Sequence, residues 1–122
     1  MLDCIFCQIA AKKIPAEIVY ENRNFLAFLD INPRSPGHCL VVPKKHYRWV
    51  WDVPNLGTYF ELVRKIARGQ QEAFSQESIW SRITGEEIPH AHVWVFPDDR
   101  PGQTAGDKRD LASNAAKLRA KL

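Results

Sequence analysis

Residues 85–97 read GEEIPHAHVWVFP, and the stretch from His90 to Phe96 sets two histidines into an otherwise apolar run. Such a run, bounded by Pro89 and Pro97, reads as a buried strand. Strand side chains alternate between faces, so a strand here puts His90, His92 and Trp94 on one side of a sheet. A single strand histidine is commonly a satisfied structural imidazole. Two on one face must each find hydrogen-bond partners if buried, and acid–base, nucleophilic and metal-binding roles all gain from the pair.

Working outward, SIWSRIT (78–84) reads as a strand reaching HAHVWVF through the short connection GEEIP. Earlier, IPAEIVYE runs into an extended segment, NFLAFLDI (24–31) reads as a strand ended by the turn-rich NPRSPG, and HCLVVPKK (38–45) as another. Between these blocks the period changes. Leu56, Tyr59, Phe60, Val63, Ile66, Ala67, Ala73 and Phe74 recur at three- and four-residue steps, an amphipathic helix whose start suits Asp52 followed by Val53-Pro54. CIFCQIAAKK (4–13) suits a short helix, PDDRPGQTAG is a polar loop, and Asp107 is placed to cap a final helix running to Leu122. The expectation is one α+β domain over 1–122. Its core spans about 4–97, with about five mainly antiparallel strands and one main helix, and a C-terminal loop and helix follow over 98–122.

The formal charge of +3 is mild and the basic residues are scattered, with small clusters at PKKHYRW (43–49) and KLRAKL. This argues against duplex nucleic acid as a partner and only weakly for an anionic ligand over a solvated surface. No apolar run approaches the roughly 20 residues of a membrane span, and MLDCIFCQIA lacks the features of a signal peptide, so a cytoplasmic protein is expected. Three cysteines do not make a disulfide framework.

Imidazole and thiolate are the ligands zinc prefers, so Cys4 and Cys7 with two of the four histidines, His38, His46, His90 and His92, could complete a tetrahedral site. On their own Cys4 and Cys7 could equally be small buried hydrophobes. Cys39, in an apolar strand, reads as core.

The chain resembles the histidine triad (HIT) family, whose motif is His-φ-His-φ-His-φ-φ with φ apolar. His90-Ala-His92-Val-Trp94-Val-Phe96 fits except at the third histidine, and CIFCQIAAKKIPAEIVYE and FLAFLDINPRSPGHCLVVPKKH resemble the family's opening and central blocks. The resemblance implies a HIT-like fold, often a two-fold dimer, that binds a purine nucleotide or nucleotidyl ester. It implies that His92 attacks the α-phosphorus to give a covalent nucleotidyl-histidine, in hydrolysis or transfer on a phosphoramidate or phosphoanhydride. It also implies structural zinc on Cys4, Cys7, His46 and His90. By position, Phe6, Ile9, Ile14, Phe28 and Ile31 would surround the base and Asp30 would hold the ribose. His38 would lie near the active centre. Without the resemblance, the apolar set reads as core and Asp30 as a turn residue.

The sequence departs from the family pattern in two places. Trp94 replaces a histidine that contacts phosphate in relatives, and indole can donate one hydrogen bond but carries no charge. Gly85-Glu86-Glu87 stands where many relatives place Gly-Gln-Ser. The alternative to an enzyme is a noncatalytic nucleotide-binding or zinc-stabilised interaction protein.

Overall fold

The computed structural model describes residues 3–122. The chain forms α1 (Ile5–Ala10), β1 (Ile18–Glu21), β2 (Phe25–Leu29) and β3 (Cys39–Pro43), then a 3-10 turn at Val50–Asp52. It continues through α2 (Leu56–Ala73), β4 (Ile79–Arg82), β5 (Val93–Pro97) and α3 (Leu111–Arg119). The strands pair antiparallel in the order β1-β2-β3-β5-β4, which is the expected α+β arrangement of a five-stranded sheet with a main helix and a C-terminal helix. Among the described residues no helix is long and apolar enough to cross a membrane.

β2 and β3 are buried at every position, because both faces of the sheet are covered. On one face Ala27, Val41, Val93 and Val95 pack with Tyr59, Leu62 and Ile66 of α2. On the other, Leu26, Phe28, Leu40 and Val42 meet Cys4, Phe6 and Ile9 of the N-terminal segment. Polar anchors fix α2 in register. The buried Tyr59 hydroxyl donates to the Val41 carbonyl at 2.6 Å. The Gln70 Nε2 group donates to the carbonyls of Gly37 and Val95 at 2.9 and 2.8 Å, joining the entry of β3 to β5.

The structure corrects three expected boundaries. Helix α2 is capped by Asn55, whose side chain accepts from the Thr58 amide, and not by Asp52. Pro54 favours an extended Val53 (φ −69°, ψ 120°), so Asp52 is left in the preceding turn, accepting from the Trp49 amide. Helix α3 is capped by Asp110; Asp107 instead closes a local turn by accepting from the Arg109 amide. Strand β5 begins at Val93, not His90. The amides of His90 and Ala91 are spent on the carbonyls of Ile88 and Tyr47, which takes residues 90–92 out of the ladder. Facing nevertheless continues to alternate. Ala91 joins the α2-side core with Val93 and Val95, and His92 and Trp94 line a cavity on the other side.

Gly37 delivers the chain into β3 at φ +81°, and a Cβ there would lie 2.2 Å from the Phe74 ring. Gly37→Ala combines left-handed strain with overpacking and is expected to cost about 2–4 kcal/mol. Urea denaturation checks this as a lower midpoint at unchanged slope.

Candidate functional site

Two neighbouring constellations use the histidines of residues 90–92. In the first, Cys4 caps α1, its sulfur accepting from the Cys7 amide, which turns both thiols to the same side. His46 reaches them from just beyond β3, and His90 from the extended segment before β5. The His90 Nδ1 atom lies 3.3 Å from Cys4 Sγ, 3.4 Å from Cys7 Sγ and 3.2 Å from His46 Nδ1; Cys7 Sγ is 3.4 Å from His46 Nδ1. All four ligand atoms fall within 4.8 Å of one another. Zinc bonds of about 2.0–2.3 Å give tetrahedral edges of roughly 3.3–3.8 Å, so the separations from His90 Nδ1 to the other three donors, and from Cys7 Sγ to His46 Nδ1, are near those of a zinc site.

The hydrogen bond behind His90 agrees with this. The His90 Nε2–H donates to the Pro43 carbonyl at 2.8 Å, leaving Nδ1 with its lone pair towards the sulfurs. Burial pushes the His90 imidazole down to about 4, against the pull of that hydrogen bond, which keeps it in the neutral, ligating form. Burial, followed by the adjacent Cys4, pushes the Cys7 thiol up to about 11. Gathering two thiols and two imidazoles is unfavourable for the thiolates unless a cation joins them.

The second constellation is a cavity of about 420 Å³ beside the first. Phe6, Ile9, Ile14, Phe28 and Ile31 line it together with Asp30, His92 and Trp94, so the structure gathers these sequence-selected residues around one space. His92 is buried, its ring edge-on to Phe6 at 5.3 Å between centroids. The His90 carbonyl accepts from its Nδ1–H at 2.8 Å, so Nε2 bears the lone pair and stands 3.5 Å from Glu87 Oε2. Partial burial pushes the Glu87 carboxyl up. Its own backbone amide, the Thr84 hydroxyl, the His92 ring and the Arg82 guanidinium outweigh this and hold it below the ordinary carboxylate value. The Asp30 carboxyl, in the same cavity, is pushed up by burial.

His38 does not line the cavity. It lies fully buried behind the wall, in ring contact with Trp94 and Phe96 at 5.1 and 5.0 Å. Its Nδ1 accepts from the Arg34 amide at 3.0 Å, so Nε2 carries the proton and faces Asp30 Oδ2 at 3.7 Å, too far for a hydrogen bond. Leu40, Ile88 and Glu87 also line the cavity, and Thr84 orients Glu87. Leu40 was hidden because its facing depends on pairing register. Thr84 was hidden because its contact depends on the path of the 83–92 loop.

Burial, with the Arg34 charge second, pushes His38 from 6.5 down to about 3, so the folded protein holds it neutral. The unfolded chain binds the extra proton first, which means this contribution is present above pH 6.5 and is lost as pH falls towards 3. His38→Gln is expected to flatten the loss of stability across that window, measured by denaturant titration at a series of pH values.

The HIT domain family model matches residues 11–101, a span that holds His46, His90 and His92 and begins after Cys4 and Cys7. Adenosine 5'-monophosphoramidase HNT1 of Saccharomyces cerevisiae is 30% identical over 108 residues, 84% of this chain and 68% of that protein. The crystal structure of a Hit-like protein of Bartonella henselae, described as involved in cell-cycle regulation, superposes with a TM-score of 0.86 at 30% identity. It covers 100% of this chain and 98% of that one. A Zn-bound histidine triad family protein of Mycobacterium smegmatis superposes at 0.77 with 30% identity, covering 98% and 93%. The family match over most of the chain and the same fold in these relatives agree with the motif around His92, and the chain belongs to the HIT domain family.

Proposed function

We propose that this HIT protein is a zinc-stabilised nucleotidyl hydrolase or transferase with His92 as its nucleophile. The observation that carries the reading is the aim of the His92 ring. Its Nδ1–H is held by the His90 carbonyl, and its Nε2 lone pair opens into the cavity that also contains Asp30. Neutral imidazole is a usable nucleophile near neutral pH, and orientation through its second nitrogen lowers the entropy cost of attack.

In this reading a purine base enters the apolar part of the cavity, among Phe6, Ile9, Ile14, Phe28 and Ile31. Asp30 accepts from the ribose hydroxyls, a polar anchor in an apolar site. His92 Nε2 then bonds to the α-phosphorus as the leaving group departs, and water or another acceptor releases the nucleotidyl group. The activity named for the yeast relative, a monophosphoramidase, is of this class. Cys4, Cys7, His46 and His90 would hold the zinc, and the Zn-bound mycobacterial relative supports that assignment. The ion would cross-link the N-terminal segment to the segment bearing His92.

Trp94 motivates a second reading, a nucleotide-binding protein without turnover, because indole cannot supply the charge of a third histidine.

Intact-mass analysis after incubation with adenosine 5'-phosphoramidate is expected to reveal an adenylyl adduct on the wild type and none on His92→Ala. The variant should be slower by about a thousandfold or more, the scale of losing a nucleophile. Equal rates would remove His92 from the mechanism, and nucleotide binding with neither adduct nor turnover would establish the second reading. Elemental analysis should find about one zinc per chain, as the four-ligand count requires. Cys4→Ser combined with His46→Ala should lose the metal and lower the Tm; a metal-free wild type that is equally stable would sink the zinc assignment.

A further inference from the structure

The edge strand β4 carries Arg82, whose charge helps hold the Glu87 carboxyl low and whose side chain stands beside the cavity-lining Trp94. Antiparallel pairing sets Phe28 opposite Leu40, Leu40 opposite Trp94 and Trp94 opposite Arg82, so these side chains form one row on the α1 side of the sheet. The row changes chemistry along its length. Phe28, Leu40 and Trp94 line the cavity, and Arg82 closes the outer end with its guanidinium carbon 5.0 Å from the Trp94 ring centroid. The Arg82 guanidinium makes no side-chain hydrogen bond or close ion pair among the described residues; its charge acts on the Glu87 carboxylate without direct contact. Arg34, 5.9 Å from the same ring, is by contrast tied to Asp99 Oδ2 at 2.8 Å. Contact with an aromatic ring steadies a guanidinium while its N–H groups remain free to donate, an arrangement suited to phosphate oxygens.

The leaving group decides what such a residue is for. When His92 Nε2 bonds to the α-phosphorus, the bond from phosphorus to the leaving atom breaks and its electron pair stays on that atom. A departing amine needs a proton; a departing phosphate leaves as an oxyanion and needs only stabilisation of charge. The groups beside the nucleophile are poor acids. Trp94 offers an indole N–H that does not ionise at neutral pH, and Glu87 is a carboxylate accepting from Thr84.

We propose that Arg82, set against Trp94, is the specificity-determining residue of the leaving-group side, and that it selects nucleotidyl phosphoanhydrides over nucleotidyl phosphoramidates. This rests on the nucleotidyl-transfer reading given above. In the selected reaction the His92 Nε2–phosphorus bond forms, the bridging phosphorus–oxygen bond breaks, and the released phosphate keeps the electron pair next to the Arg82 guanidinium.

The test compares kcat/KM for diadenosine tetraphosphate and for adenosine 5'-phosphoramidate in wild type, Arg82→Ala and Arg82→Lys. Affinities for AMP and for a nonhydrolysable dinucleoside polyphosphate are measured alongside. The ratio of polyphosphate to phosphoramidate kcat/KM is expected to fall roughly ten- to a hundredfold in Arg82→Ala, the loss of one charge-assisted contact, and to recover in part in Arg82→Lys. An unchanged ratio overturns the assignment, and so does a wild type that cleaves the phosphoramidate alone. Where the polyphosphate alone or neither substrate is cleaved, binding decides. A loss of affinity about tenfold larger for the polyphosphate than for AMP in Arg82→Ala supports the assignment, and equal losses overturn it. Absence of all turnover would count against the catalytic reading separately.

Discussion

His90 is held and holds at once, and both constellations depend on it. Its ring nitrogen donates to the Pro43 carbonyl and turns the opposite nitrogen to the two thiols, and its own carbonyl accepts from the His92 ring. One residue therefore orients the cysteine-side cluster through its side chain and the cavity histidine through its backbone. This works because residues 90–92 stand outside the ladder. In a regular central strand the His90 carbonyl would be committed to a neighbouring strand; here the amides of His90 and Ala91 turn away to Ile88 and Tyr47, and the carbonyl is available to His92.

Much of the fold was legible because its elements carry strong local signals. The apolar runs FLAFL and CLVVP mark strands covered on both faces, and the three- and four-residue recurrence from Leu56 marks a helix packed against one of them. The boundaries were less legible, since a capping position is a competition among nearby side chains. Asp52 and Asp107 are chemically able to cap, but Pro54 and a local turn at Asp107 gave the caps to Asn55 and Asp110.

The candidate residues were legible one by one, their relations only in part. His92, Asp30 and the apolar set line one cavity, whereas His38 stands behind the wall with its proton facing Asp30 across 3.7 Å. The place of His38 depends on how the loop before β3 folds back so that the Arg34 amide reaches its ring, a contact no periodicity encodes. The place of Arg82 is hidden for a related reason. It is an ordinary charged residue on a short edge strand until the register sets it opposite Trp94.

Phe6 lies between Cys4 and Cys7 in sequence, and its ring stands edge-on to both His90 and His92, at 5.8 and 5.3 Å. The residue flanked by the two thiols is thus also a wall of the cavity. A single helical turn spans the distance between them, too short to absorb a displacement at one end without passing it to the other. Phe6 is therefore a side chain through which a displacement of the thiols would reach the space in front of the His92 ring, and through which a molecule filling that space would press back on the thiols.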